Sequence, residues 1–204
     1  MLNMRYAIVD NLIDINRIPD LDGLTLTDDE LRVGAMTRQK MLKADADIAR
    51  RAPIFAAALD FVGHLQTRNR GTIGGSLGHM DPAAELMSLA VLHDAVVTVE
   101  SANGSRDIAI ADYPVAYMTP SIAPEEMISS VVFRLPREGH GWGFHEFAQR
   151  HGDFAVGFFG SKGWLCFVHL PGNDVGGIGF RSQGSEVKPQ VTEFKNYAAV
   201  GHMR

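Results

Sequence analysis

Arg68-Asn69-Arg70-Gly71-Thr72-Ile73-Gly74-Gly75-Ser76-Leu77-Gly78-His79-Met80-Asp81-Pro82-Ala83-Ala84-Glu85 is the stretch on which the reading of this chain turns. Four glycines fall within Gly71 to Gly78. Each costs about 1 kcal/mol against alanine in a helix, so the composition predicts a loop. Adjacent glycines after a β-branched residue leave backbone amides with no side chain in front of them, and an anion such as phosphate can approach closely. Asp81 as cap and Pro82 at the first helical position then predict a helix running through Met87, Ala90 and Val91 to about Leu92. That places Glu85 in the first turn, where a carboxylate can accept a hydrogen bond from a sugar hydroxyl. Taken alone, a Gly-Gly pair before a helix is also the ordinary sign of a tight turn. Because Gly74 and Gly75 are adjacent, the G-x-G-x-x-G dinucleotide fingerprint is excluded, and no Gly-Lys-Ser/Thr follows to make a P-loop. Arg68 and Arg70 could neutralise phosphate, but a solvated loop is the plainer reading.

Upstream, Ile54, Phe55, Ala58, Leu59, Val62 and Leu65 recur at spacings of three and four behind Pro53, which predicts an amphipathic helix over residues 53–65. Thr37 is placed to cap a helix through about Ala44, and Asp45, Asp47, Arg50 and Arg51 read as an exposed helix face. Leu24-Thr-Leu and Leu31-Arg-Val alternate across Asp28-Asp29-Glu30, predicting a short hairpin. Ile8 to Ile15 is rich in β-branched residues and reads as a strand, broken by a turn at Pro19, Asp20, Asp22 and Gly23.

Downstream, residues 96–100 alternate as a strand, Asn103-Gly104 is a strong hairpin signal, and 107–110 is the returning strand. Asp112 is placed to cap a short helix over 113–117, and 129–135 reads as a strand stopped by Pro136. A further strand is expected at 141–147, with a turn at Arg150-His-Gly-Asp153. From about Phe159 the periodicity fades, and the glycine-rich, polar segment 172–204 is assigned no structure. Strands and helices interleave, so the fold class is α+β.

Composition limits the function. The 204 residues are 46% hydrophobic and carry a formal net charge of -5, with Lys and Arg scattered, so nucleic acid is not an expected partner. The single cysteine, Cys166, sits in the apolar run Trp164-Leu-Cys-Phe-Val and reads as a small hydrophobe. An iron–sulfur cluster that needs four thiolates cannot be built from this chain alone. Eight histidines offer no His-x-x-x-His pair on a predicted helix, and no metal site is expected. Neither a signal-peptide run nor a stretch of about 18 apolar residues occurs, which makes the cytoplasm the expected location.

Arg68 to Leu77, followed by His79 and by Asp81-Pro82-Ala83-Ala84-Glu85, resembles the second flavin pyrophosphate motif of the carbon monoxide dehydrogenase medium subunit and of the xanthine dehydrogenase flavin domain. Leu12-Ile-Asp-Ile-Asn-Arg-Ile-Pro-Asp-Leu, Arg32-Val-Gly-Ala, Glu125-Glu126-Met127-Ile128 and Arg150-His-Gly-Asp-Phe-Ala fall where that molybdenum hydroxylase family has similar segments. The resemblance covers roughly residues 1 to 157. It implies FAD held between two small α+β subdomains. Partners would be an iron–sulfur small subunit and a large subunit carrying the molybdenum cofactor, with electrons leaving through the flavin to an external acceptor. Carried over by position, Thr72, Ile73, Gly74, Gly75 and Ser76 would contact the pyrophosphate and ribityl chain. Glu85 would lie near the ribityl chain, Ile128 by the isoalloxazine ring, and His145 at a position that is often Lys near the flavin.

The resemblance places a first glycine loop just ahead of the segment that Met1 to Arg5 resembles, so this sequence is expected to lack it, and residues after Gly157 leave the family's pattern. The expected organisation is therefore an FAD-binding domain over 1–138 lacking its N-terminal subdomain, then an incomplete C-terminal domain over 139–204. A competing expectation is a truncated, non-catalytic remnant that binds partner subunits without FAD.

Overall fold

The structure is a computed structural model and describes residues 9–137, 141–148, 155–162, 165–170 and 176–181. Strands β1 (Leu24–Leu26) and β2 (Glu30–Gly34) form the expected hairpin, with Leu24 opposite Val33 and Leu26 opposite Leu31. Six helices follow: α1 (Gln39–Ala44), α2 (Ala46–Arg51), α3 (Pro53–Phe61), α4 (Leu65–Arg70), α5 (Ile73–His79) and α6 (Glu85–Leu92). Then come β3 (Val96–Ser101) and β4 (Gly104–Ala109), a 3-10 turn at Ile110–Asp112, the small pair β5 (Pro114–Ala116) and β6 (Thr119–Pro120), and β7 (Met127–Arg134). Residues further on supply β8 (Trp142–Ala148), β9 (Ala155–Lys162), β10 (Leu165–Leu170) and β11 (Gly176–Arg181).

The first sheet is antiparallel, in the order β1-β2-β7-β3-β4. Alternation turns Leu31 and Val33 of β2, Val97 and Val99 of β3, and Val131 and Phe133 of β7 toward the helices, all with no exposed surface. They meet Phe55, Leu59, Ile73, Leu77 and Leu89 in one apolar core. Gly104, at φ 120°, takes the turn conformation that a side chain would resist. Arg106 forks onto Glu126 through two 2.7 Å bonds, and Glu126 also accepts from the Ala123 amide at 2.8 Å. Those contacts fix the entry into β7 and hence the position of Ile128.

The second sheet is an antiparallel meander in the order β11-β10-β9-β8, packed against α3 and α6. Phe61 of α3 meets Phe144 of β8 with ring centroids 5.7 Å apart. Strands therefore occupy part of the region in which sequence periodicity gave no guidance, because glycine-rich alternation is a weak signal for a strand whose pairing partners are supplied by tertiary structure. The turn expected at 150–153 and most of the tail lie outside the described residues.

Several local expectations are corrected. Residues 9–15 form no strand; Leu12 and Ile13 are 75% and 80% exposed, and β-branched content alone provides no pairing partner. Thr37 does not cap α1. Its hydroxyl exchanges hydrogen bonds with Gly23, accepting from the amide at 2.9 Å and donating to the carbonyl at 3.0 Å. Helix α3 stops at Phe61, before Gly63 at φ 40°, and exposed Leu65 begins a separate turn of helix. Arg68 lies on the helix Leu65–Arg70 and not in a solvated loop; its guanidinium donates to the carbonyls of Val62 and Gly63 at 2.7 and 3.1 Å, satisfying the open end of α3. Asp81 accepts from the Ala83 amide within a turn, and α6 begins only at Glu85. The helix expected at 113–117 is instead the 3-10 turn ending at Asp112 followed by β5, where Pro114 is compatible with extended backbone.

Candidate functional site

The glycine stretch is a helix, not a loop. Ile73 and Leu77, one turn apart, have no exposed surface, and burying each contributes about 1.5–3 kcal/mol. That outweighs a glycine cost of about 1 kcal/mol at each of Gly74, Gly75 and Gly78. Both ends of α5 are satisfied. Thr72 Oγ1 accepts from the Gly75 amide at 3.0 Å, and Met80 closes the C-terminus in the left-handed conformation at φ 49°. The buried Tyr113 hydroxyl donates to the Leu77 carbonyl at 3.0 Å.

The expected ring of bare amides is also revised. Ile73 N–H donates to the Thr37 carbonyl (3.2 Å), Gly74 N–H to the Ala35 carbonyl (2.8 Å) and Ser76 N–H to the Thr72 carbonyl (3.1 Å). With Gly75 bonded to Thr72, all four amides from Ile73 to Ser76 have partners within the chain. The two adjacent glycines have different causes. A Cβ on Gly74 would lie 2.6 Å from Ala35 Cβ and 2.9 Å from its carbonyl oxygen, so Gly74 lets α5 press onto the end of β2. Gly75 is exposed, and a Cβ there would meet only Thr72 Oγ1, at 2.8 Å.

Helical periodicity sorts the segment into two faces. Ile73, Gly74 and Leu77 are buried; Gly75, Gly78 and His79 are exposed, flanked by half-buried Thr72 and Ser76. A Cβ on Gly78 would touch only Ile128 Cδ1, at 3.5 Å. The outer face of α5 is therefore a strip of backbone and two hydroxyls beside the buried Ile128 of β7. The resemblance assigned Ile128 to the isoalloxazine ring and the glycines to the pyrophosphate and ribityl chain; it did not single out Gly78, which the structure sets beside Ile128.

Glu85 opens α6 and is 9% exposed. Facing it is Glu146 of β8, 7% exposed, and the two carboxyls lie within hydrogen-bonding reach. Burial, reinforced by the negative charges of Glu146 and Asp81, pushes Glu85 up to about 8. Burial likewise raises Glu146, to about 7, against the lowering effect of the hydrogen bond it accepts from Glu85. His145 is exposed and lies on the other face of β8. The strand brings Glu146, not His145, beside Glu85; the period-two alternation that turns half-buried Phe144 and buried Glu146 to one side was the signal that could have found it. Among the described residues, no group of three or more His, Cys, Asp or Glu could hold a metal ion.

Residues 1–137 match the family described as the FAD binding domain in molybdopterin dehydrogenase. The chain belongs to this family. It is 42% identical over 158 residues to the 6-hydroxypseudooxynicotine dehydrogenase complex subunit alpha of Paenarthrobacter nicotinovorans, covering 77% of this chain and 53% of the relative. The carbon monoxide dehydrogenase medium chain of Hydrogenophaga pseudoflava is 33% identical over 181 residues, covering 87% and 60%. Among solved structures, quinoline 2-oxidoreductase from Pseudomonas putida 86 superposes with a TM-score of 0.78 at 27% identity, covering 87% of this chain and 64% of that one. The chain thus spans about half the length of the first of these relatives.

FAD is the family's cofactor, and the outer face of α5 meets its main steric demand. An extended nucleotide needs close approach to backbone, and side chains at Gly75 and Gly78 would fill that space. Among the described residues no helix is long and apolar enough to cross a membrane.

Proposed function

We propose that this chain binds FAD along the outer face of α5 and serves as the electron-transfer subunit of a molybdenum-containing hydroxylase. In this reading it works with an iron–sulfur small subunit and a molybdenum-cofactor large subunit, in the cytoplasm, and delivers electrons to an external acceptor. In the same reading, residues 1–138 form the flavin unit and 139–204 belong to a C-terminal domain. One observation supports the reading above the others: within a domain of the FAD-binding family, Gly75 and Gly78 leave the exposed face of α5 open to backbone, and Gly78 abuts Ile128.

Bound FAD supplies the exchange between two-electron and one-electron chemistry, and the protein's part is to bind and orient it. Thr72 and Ser76 offer hydroxyls to the diphosphate, and Gly75 and Gly78 let it lie against the helix. Ile73 and Gly74 act from below, anchoring α5 to β2, while Ile128 provides an apolar wall for the ring system. Glu85 supports the polyol chain, and exposed His145 has no assigned part. The test is a titration of the purified chain with FAD, followed by flavin fluorescence. Saturable binding is expected, with loss in Gly75→Val, whose branched side chain covers the strip. Absence of binding by the wild-type chain, alone and with its partner subunits, would refute the proposal.

A further inference from the structure

Glu85 and Glu146 reach each other from two elements that nothing else requires to carry acids. Glu85 starts the helix that follows α5, and Glu146 comes from β8, beyond the residues matching the flavin family. Each is more than nine-tenths buried. Two buried carboxylates cannot both stay ionised at contact distance, because their repulsion adds to the loss of hydration. Glu146 Oε2 is buried and meets no N–H or hydroxyl donor among the described residues. A buried acceptor in that position needs a hydrogen, and the neighbouring acid is placed to supply it.

We propose that Glu146 is a positioning residue of the flavin site, its carboxyl accepting a shared proton from Glu85 so that Glu85 meets the cofactor as a neutral carboxyl, its remaining oxygen able to accept from a cofactor hydroxyl, and not as an anion. This rests on the flavin reading given above. The proton resides on Glu85, the carboxyl surrounded by more negative charge, and Glu146 accepts from it. Holding that proton has two consequences. The ligand's diphosphate meets one negative charge fewer, and α6 is tied to β8 by a bond that exists only while the proton is held. Glu85 also feels Asp81, from the α5–α6 connection. His79 at the end of α5 and His145 on β8 are exposed, and Asp60 on α3 pairs with Lys43.

The experiment measures the FAD dissociation constant of the full chain from pH 6 to 9 for wild type, Glu146→Gln and Glu85→Gln, with thermal melts to confirm folding. Wild-type affinity falls as the pair loses its proton, by up to about tenfold per pH unit where one proton is linked to binding. Glu85→Gln keeps a neutral carbonyl toward the cofactor and an N–H toward Glu146, and it loses the part of the pH profile that the shared proton supplies. Glu146→Gln fixes Glu85 as an anion through an amide hydrogen bond and moves the fall to acid pH. All three retain His79 and His145, so dependence arising from histidine persists in every curve and cancels in the comparison. A second measurement needs neither ligand nor variant folding: infrared spectra of the unliganded wild-type chain at pH 7 show the C=O stretch of a protonated carboxyl. A missing band, a flat wild-type profile, or a Glu146→Gln profile that superimposes on wild type overturns the proposal while leaving flavin binding intact. Failure of the wild-type chain to bind FAD at every pH overturns the flavin reading and this role with it.

Discussion

Gly74 and Gly78 sit four residues apart on one short helix, and the structure assigns them opposite reasons for being glycine. In Gly74→Ala the new methyl is built 2.6 Å from Ala35 Cβ and 2.9 Å from the Ala35 carbonyl oxygen, the acceptor of the Gly74 amide. Carbon atoms pack at about 3.5–4.0 Å, so α5 must move by roughly 1 Å from the end of β2. Ala35 is itself only 4% exposed, which leaves it little room to yield. Overpacking of this kind costs about 1–3 kcal/mol, offset by up to about 1 kcal/mol from alanine's better helix propensity. The expected net loss is about 1–2 kcal/mol, read as a lower urea midpoint. In Gly78→Ala the methyl meets Ile128 Cδ1 at 3.5 Å, an ordinary contact, so stability is unchanged or rises by up to about 1 kcal/mol. The same methyl stands on the proposed flavin surface, and FAD affinity should fall at least about tenfold, or about 1.4 kcal/mol. Urea unfolding followed by circular dichroism, paired with FAD titration of each variant, separates the two effects. A Gly78→Ala chain that binds FAD as tightly as wild type shows that the outer face of α5 is not the cofactor surface. A Gly74→Ala chain as stable as wild type refutes the packing argument.

The raised carboxyls also predict how stability varies with pH. Glu85 at about 8 and Glu146 at about 7 hold protons in the folded chain that the unfolded chain has released above about 4.5. Stability therefore declines as pH rises from about 5 to about 8, by on the order of 1 kcal/mol per pH unit for each group while it differs; melts of Glu85→Gln should show a shallower decline, and an identical one refutes the assignment. Asp45 accepts from the amides of Asp47 and Ile48, at 3.0 and 2.9 Å, so Asp45→Ala should cost about 1 kcal/mol in urea unfolding without altering FAD affinity. Tyr113→Phe leaves the Leu77 carbonyl without its buried donor and should cost about 1 kcal/mol by the same assay; no loss would show that the bond contributes nothing to holding α5.

The sequence by itself determined the hairpins at Asp28–Glu30 and Asn103-Gly104, the amphipathic face of α3 and the core strand around Val131, because each follows from periodicity or turn chemistry within a few residues. It also marked Thr72 to Ser76 and Glu85 as the region to examine, through the order of glycines, Asp81-Pro82 and an acid. Tertiary structure alone decided that this region is helical, since the energy that overrides its glycines comes from burying Ile73 and Leu77 against distant strands. It decided which glycine faces the core and which faces outward, a property of α5's rotation against Ala35 and Ile128. It alone brought Glu146 to Glu85 across 61 positions of sequence, 85 to 146, and the effect of burial on two carboxyls is invisible until the elements that bury them are in place.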